Sequence, residues 1–404
     1  MRALRILLVG MFALLSAACG AGSDTGPRLR SEVRDSAGVT IVENARPATG
    51  SRLRWRVGEA PTVSIGALEG DGVYQLYAVE DAARLSDGRI AIANGGTGEI
   101  RFFSVNGDHM ESWGGIGEGP GEFAQWDPEA VGEWPGDSIV AAEWWRGRIA
   151  VFDADGNPGR AATLGEGRFS FLGRMPGGGI LAKPALPAGL RFGADGSTLR
   201  RLEAEFALVT PTGDIHASLG THAGEEWYFS PDSPSGRPHP FGRSVLATVW
   251  GHLAVVAAND SYEIRAYDNH GILTRIVRRD HELRAPTQAE LDAWFTGAYG
   301  QRSEEEQARL HALFEGMTLV EFFPAFSAVH SDPMGYLWVQ EYRPPEQDEN
   351  IWTVFAADGR VQGFVDTPPD LELFEIGADY ILGTTTDELG VERVQLWPLD
   401  RNPR

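Results

Sequence analysis

The 404-residue sequence carries 57 acidic and 35 basic side chains, a formal net charge of −22, and Lys183 is its sole lysine. Clustered cations are what hold phosphate backbones and anionic lipid, so a chain with no basic run argues against nucleic acid as a partner and against any membrane contact other than a lipid. Hydrophobic residues at 42% and aromatics at 10% belong to a packed chain rather than a disordered one, and a single cysteine, Cys19, rules out an internal disulfide.

Residues 1–19 open with Arg2 and Arg5, continue through the apolar run 6–15, and reach Ser16, Ala17 and Ala18 before Cys19. A positive start, an apolar stretch too short to span a bilayer and small residues at the end make a signal peptide. Cys19 stands where a bacterial lipoprotein signal places its acylated cysteine, with Ser16 where leucine is commoner. An ordinary secretory signal with an incidental thiol is the alternative. The expected address is the cell envelope, at the outer membrane or the periplasmic face, through a lipid on Cys19. Gly20, where aspartate would favour inner-membrane retention, points to the outer membrane. Residues 20–38 are polar and breaker-rich and read as a flexible tether, leading to one folded domain over 39–404.

From residue 79 onward one pattern returns. In 79–114 a short strand leads to a turn at Gly88, a buried strand follows, and the alternating stretch 99–105 meets Asn106-Gly107. That dipeptide favours a type I′ hairpin, with positive φ at both central positions. The order recurs in 135–165, with Asp155-Gly156 as its late turn, then in 176–183 with 206–220, in 250–277, in 334–342 with 351–365, and in 373–399. Six units of roughly 40–50 residues suit an all-β chain folded as a six-bladed β-propeller of four-stranded antiparallel blades. The last unit has only three strands, which predicts that the N-terminal strand at 61–66 closes the last blade. Residues 285–317, between units four and five, read as a helical insertion. Thr287 with Glu290 and Ser303 with Glu306 make capping boxes, and Leu310, Leu313 and Phe314 share a helix face.

The run GRIAIANGGTGEIRFFSVNGD (88–108) resembles the NHL-type repeat, and GIGEGPGEF (115–123) is similar to the connector between consecutive NHL blades. From 34–47 through 387–399 the chain resembles bacterial "6-bladed beta-propeller" lipoproteins. The resemblance implies the architecture and assigns no chemistry.

The glycines of 114–123 do not make a phosphate cradle. No helical pattern follows them, the lysine is more than sixty residues away, and Glu118 and Glu122 would repel phosphate. They turn a corner between blades, with Phe123 expected to tuck under the next one. Asp153, Asp155 and Asn157 resemble the start of a calcium loop, but Pro158 and Leu164 occupy the positions that need glycine and an acidic ligand. The nine histidines are scattered and no hydrolase motif is present, so no catalytic residue, metal or cofactor is assigned.

Candidate ligand-face residues remain. Trp144, Trp145 and Arg146 sit at an inter-strand turn, where one tryptophan can pack and the other can stack a sugar or aromatic group, with Arg146 on an anion. Trp227, Tyr228, His239 and Arg243 lie in 221–243, read as a long connector mixing aromatic surface with hydrogen-bonding tips. His330 ends an inner strand and can reach the axis of the ring. Each also has a plain reading as core or a satisfied loop. The function expected is a lipid-anchored binding or scaffolding module, monomeric, for a protein, peptide or glycan. The alternative is a hydrolase or lyase with its site at the channel mouth.

Overall fold

A computed structural model describes residues 30–185, 199–229, 236–314, 317–345, 347 and 349–403. Cys19 and the signal-like segment lie outside the described residues. The described chain is mostly β, arranged in six sheets of four to six strands.

The first sheet takes its strands in chain order: Val79–Arg84, Ile90–Asn94, Glu99–Phe103 and His109–Gly114. The second uses Ala130–Trp134, Ser138–Glu143, Arg148–Phe152 and Pro158–Thr163. The third runs Phe169–Arg174, Ile180–Pro184, Leu199–Val209 and Ile215–Tyr228, with Arg237–Pro238 on its edge. Val245–Trp250 through Leu273–Arg279 form the fourth, and Phe326–Ser331 through Val361–Thr367 the fifth. Glu372–Ile376, Tyr380–Thr386 and Glu392–Asp400 begin the sixth. The strand expected at 61–66 is Val63–Ile65, which pairs antiparallel with Glu392–Asp400, Leu396 opposite Val63.

Second strands such as Ile90–Asn94 are buried along their whole length, which is why they read as continuous apolar runs rather than alternating ones. Both of their faces are covered because each sheet packs on the next. Phe102 and Trp113 of the first sheet meet Ile139 and Phe152 of the second. Equivalent clusters join the second to the third, third to fourth, fourth to fifth and fifth to sixth. A further cluster closes the ring, with Leu382, Val394 and Leu396 against Ile90, Ile92 and Phe103. Phe123 is fully buried in the junction of sheets one and two, and a Cβ on Gly114 (φ +95°) would come within 2.7 Å of its ring. The glycine-rich run folds back on itself through Phe123 N–H to Gly115 O, 2.9 Å, and Gly117 N–H to Phe123 O, 3.0 Å.

Three local expectations change. Asn106 is not in the left-handed region; only Gly107 is, at φ +87°, and Gly107 N–H closes on Ser104 O at 2.9 Å. This is the four-residue turn with glycine last, followed by a register shift. It recurs at Asp153–Gly156, Asp268–Gly271 and Asp387–Gly390. Asp153 therefore spends an oxygen on the N–H groups of Asp155 and Asn157, 3.0 and 2.9 Å, a turn role rather than a calcium one. The tether read over 20–38 also ends early. Ser31–Ser36 is a strand paired with Val39–Asn44, which adds in parallel to Leu273–Arg279. Finally, the stretch read as a connector from 221 is strand as far as Tyr228.

Helices α1 (Gln288–Tyr299) and α2 (Glu304–Phe314) form the insertion between sheets four and five. The Thr287–Glu290 capping box is complete, and Ser303 and Glu306 exchange the same bonds.

Candidate ligand-binding face

The four core strands of each sheet alternate in direction, only the added Val39–Asn44 strand running parallel to its neighbour. The turn between the second and third strands therefore leaves from the same end as the connector to the next sheet. These turns and connectors make one face of the ring, and its two halves differ.

Among the described residues, the face is open over sheets one and two. Tyr77, in the connector entering sheet one, is 61% exposed, and Trp126, in the connector entering sheet two, is 46% exposed. Their rings meet edge-on with centroids 5.8 Å apart. Trp126 sits at φ +72° and Ala78 at φ +52°, a left-handed conformation that a bulky side chain adopts only under constraint. At the neighbouring turn Trp144 and Trp145 pack at 4.8 Å, and Trp145 is 55% exposed.

Asp127 joins the two aromatic pairs. It follows Trp126 in the chain, and its Oδ1 accepts from Trp144 N–H at 3.0 Å. The residue is 1% exposed, and its Oδ2 is buried with no hydrogen-bond partner among the described residues. Burial pushes its carboxyl up to about 6, with Glu143 adding to the rise.

Further carboxylates stand beside it. Glu129 pairs with Lys183 at 3.1 Å and accepts from Ser170 Oγ. Burial raises Glu129 although Lys183 pulls it down, and burial with Glu392 and Glu372 raises Glu80. Beneath them Asp81 ties the inner strands of sheets one and two, accepting from Ala82 N–H at 2.9 Å and Val131 N–H at 3.0 Å. Burial drives Asp81 up to about 7 against these two donors.

Over sheets three and four the face is covered. The end of the Leu199–Val209/Ile215–Tyr228 hairpin, the 236–243 segment and both helices share an apolar cluster of Tyr228, Phe241, Leu291, Met317, Val320 and Phe323. Of the residues singled out in 221–243, Tyr228 lies inside this cluster and His239 is 4% exposed. His239 Nδ1 accepts from Phe241 N–H at 3.1 Å and Nε2 faces Thr318 O at 3.2 Å, which fixes a neutral ring carrying its proton on Nε2. Burial holds that imidazole below its ordinary range. Arg243 binds buried Glu226 through Nη2 at 2.6 Å and Nε at 3.0 Å. Half-buried Trp227 donates from Nε1 to Glu225 at 2.7 Å. These four are fully engaged inside the protein.

His330 lies on the inner strand of sheet five, 5.7 Å from Trp352, and burial pushes its ring down to about 4. It stands apart from both halves. Arg146 faces Glu143 at 3.5 Å and Glu118 at 3.8 Å. The fold thus brings Trp144 and Trp145 together with Tyr77, Trp126 and Asp127, three residues that sequence reading did not single out. The signal was present in register: Tyr77 and Trp126 each close a connector just before an inner strand. Among the described residues, no three histidine, cysteine or carboxylate side chains are placed to hold a metal ion. No described helix is long and apolar enough to cross a membrane.

No family model and no curated protein matches the sequence. Solved structures do align with it. One is an exported-type protein of Bacteroides fragilis, 12% identical, covering 90% of this chain and 100% of that one with a TM-score of 0.48. Another is a member of the DUF4221 family from Bacteroides vulgatus, 10% identical, covering 86% and 98%, TM-score 0.47. A third is an inactive virginiamycin B lyase from Staphylococcus aureus with quinupristin, 12% identical, covering 92% and 99%, TM-score 0.39.

Proposed function

We propose that the chain is a six-bladed propeller, lipid-anchored through Cys19 in the cell envelope, that binds a protein, peptide or glycan on the open half of its connector face. The six sheets linked in a ring by successive apolar clusters support the architecture. One observation carries the binding role: two aromatic pairs, with Tyr77, Trp126 and Trp145 exposed, flank Asp127, whose buried Oδ2 has no hydrogen-bond partner among the described residues. Aromatic faces supply stacking surface at little conformational cost, and a buried carboxylate oxygen left unpaired costs free energy that a ligand donor would recover.

Peptide and glycan arrays probed with the soluble 20–404 body test this reading. A ligand retained by the native protein and lost by Trp126→Ala/Trp145→Ala, at unchanged circular dichroism, is the expected result. Retention by both proteins would move the site elsewhere. Incorporation of an alkyne fatty acid into the full-length chain, lost in Cys19→Ser, checks the anchor.

A further inference from the structure

The protein repeatedly builds one interaction for itself. Arg401 lies over Trp55 at 4.4 Å and pairs with Asp332 at 2.8 Å. Arg279 lies over Tyr262 at 3.8 Å and pairs with Glu341 at 2.7 Å. Arg52 lies over Phe364 at 5.5 Å and pairs with Asp366 at 2.6 Å. In each, a guanidinium is held between an aromatic face and a carboxylate, the geometry in which cation–π attraction and charge-assisted hydrogen bonds add.

The open half of the connector face has two of these three components. The aromatic faces are Tyr77, Trp126 and Trp145. The carboxylates are Asp127 between the aromatic pairs and Glu80, the second residue of the inner strand Val79–Arg84 just after Tyr77, with Glu372 and Glu392 close enough to raise it. None of these four carboxylates is ion-paired among the described residues, whereas Glu129 has Lys183 and Glu143 has Arg148. Arg146, whose charge pulls Asp127 down, is engaged by Glu143 and Glu118 and makes no hydrogen bond to Asp127 among the described residues.

From this we infer that the partner supplies the missing cation: the face binds an arginine-bearing peptide segment whose guanidinium stacks on the exposed aromatics and pairs with the Glu80–Asp127 carboxylates. The inference rests on the binding role proposed above and narrows its ligand to a basic peptide. Burial and like charge raise Glu80 and Asp127 together, although Lys183 and Arg146 pull them down, and neither carboxylate has an ion-pair partner among the described residues.

The test uses two synthetic pentapeptides, Arg-Gly-Arg-Gly-Arg and its citrulline counterpart, of the same shape but without charge. Tryptophan fluorescence of the 20–404 body should report binding of the arginine peptide at least tenfold tighter than the citrulline one. Glu80→Gln/Glu372→Gln, two exposed positions that spare the core, should bring the ratio toward one, and raised salt should do the same. Equal binding of both peptides overturns the cationic ligand and leaves the aromatic face as a neutral-ligand site. Binding of neither peptide also overturns it, and the arrays then judge the binding role alone. An unchanged ratio in the double variant shows that other carboxylates hold the guanidinium and overturns the assignment to Glu80.

Discussion

The two halves of the connector face are built from equivalent parts of the repeat and meet solvent in opposite ways. Over sheets three and four, two helices and a long hairpin bury Tyr228 and His239, half-bury Trp227 and pair Arg243 with Glu226, down to the two bonds of His239. Over sheets one and two, Tyr77, Trp126 and Trp145 stay outside, and Asp127 and Glu80 have no ion-pair partner among the described residues. The difference teaches that an exposed tryptophan on this face is a departure from what the fold does when it has covering elements to spend.

If the covered half is structural, truncating its core should unfold the protein. Phe241→Ala removes a fully buried ring and should cost about 3–5 kcal/mol, read by urea denaturation. Glu226→Gln breaks the pair with Arg243, whose side chain keeps 18% exposure, and should cost about 2 kcal/mol, below the range for a wholly buried pair. Trp145→Ala in the open half should stay within about 0.5 kcal/mol. A Trp145 variant as damaged as Phe241→Ala would erase the contrast.

Acidity offers a subtler separation, because the halves respond with opposite sign. His239 is buried neutral and its folded value is depressed below 6.5. Its contribution is complete above that value and is lost as pH falls below it, so the protection factor of the Phe241 amide, corrected for the intrinsic pH dependence of exchange, should fall below about pH 6.5. Asp127 is raised from 3.8 to about 6. Its protonated form favours the fold, so its contribution is complete below pH 3.8 and is lost as pH rises through about 6. Asp127→Asn, which keeps an acceptor for Trp144 N–H, should flatten stability across that window by comparison with the native protein.

Much of the architecture was legible because the inner strands are apolar runs set between glycine turns, and because a missing strand in the last unit could be counted. The Ser31–Ser36 strand was not, since SEVRDS is polar and almost wholly exposed; its pairing with Val39–Asn44, helped by Ser31–Asn44 and Arg34–Glu43 contacts, defines it. The strand ending at Tyr228 was hidden by Gly220 and Gly224, which interrupt its alternation at register shifts. At the candidate site, adjacent Trp144 and Trp145 announce themselves, whereas Tyr77 and Trp126 lie 49 residues apart and meet only because two connectors occupy equivalent places. Asp127 became visible only through burial, which a sequence does not record.

The claim that one half of the face binds while the other supports is tested most directly by one paired measurement. Affinity for the array-selected ligand and the melting temperature would be followed in Trp126→Ala/Trp145→Ala and in Trp294→Ala, a residue packed under α2 against Phe314. The account predicts that the first variant loses binding at native melting temperature, and that the second melts lower yet binds with native affinity. Binding lost in the Trp294 variant and kept in the other would contradict it.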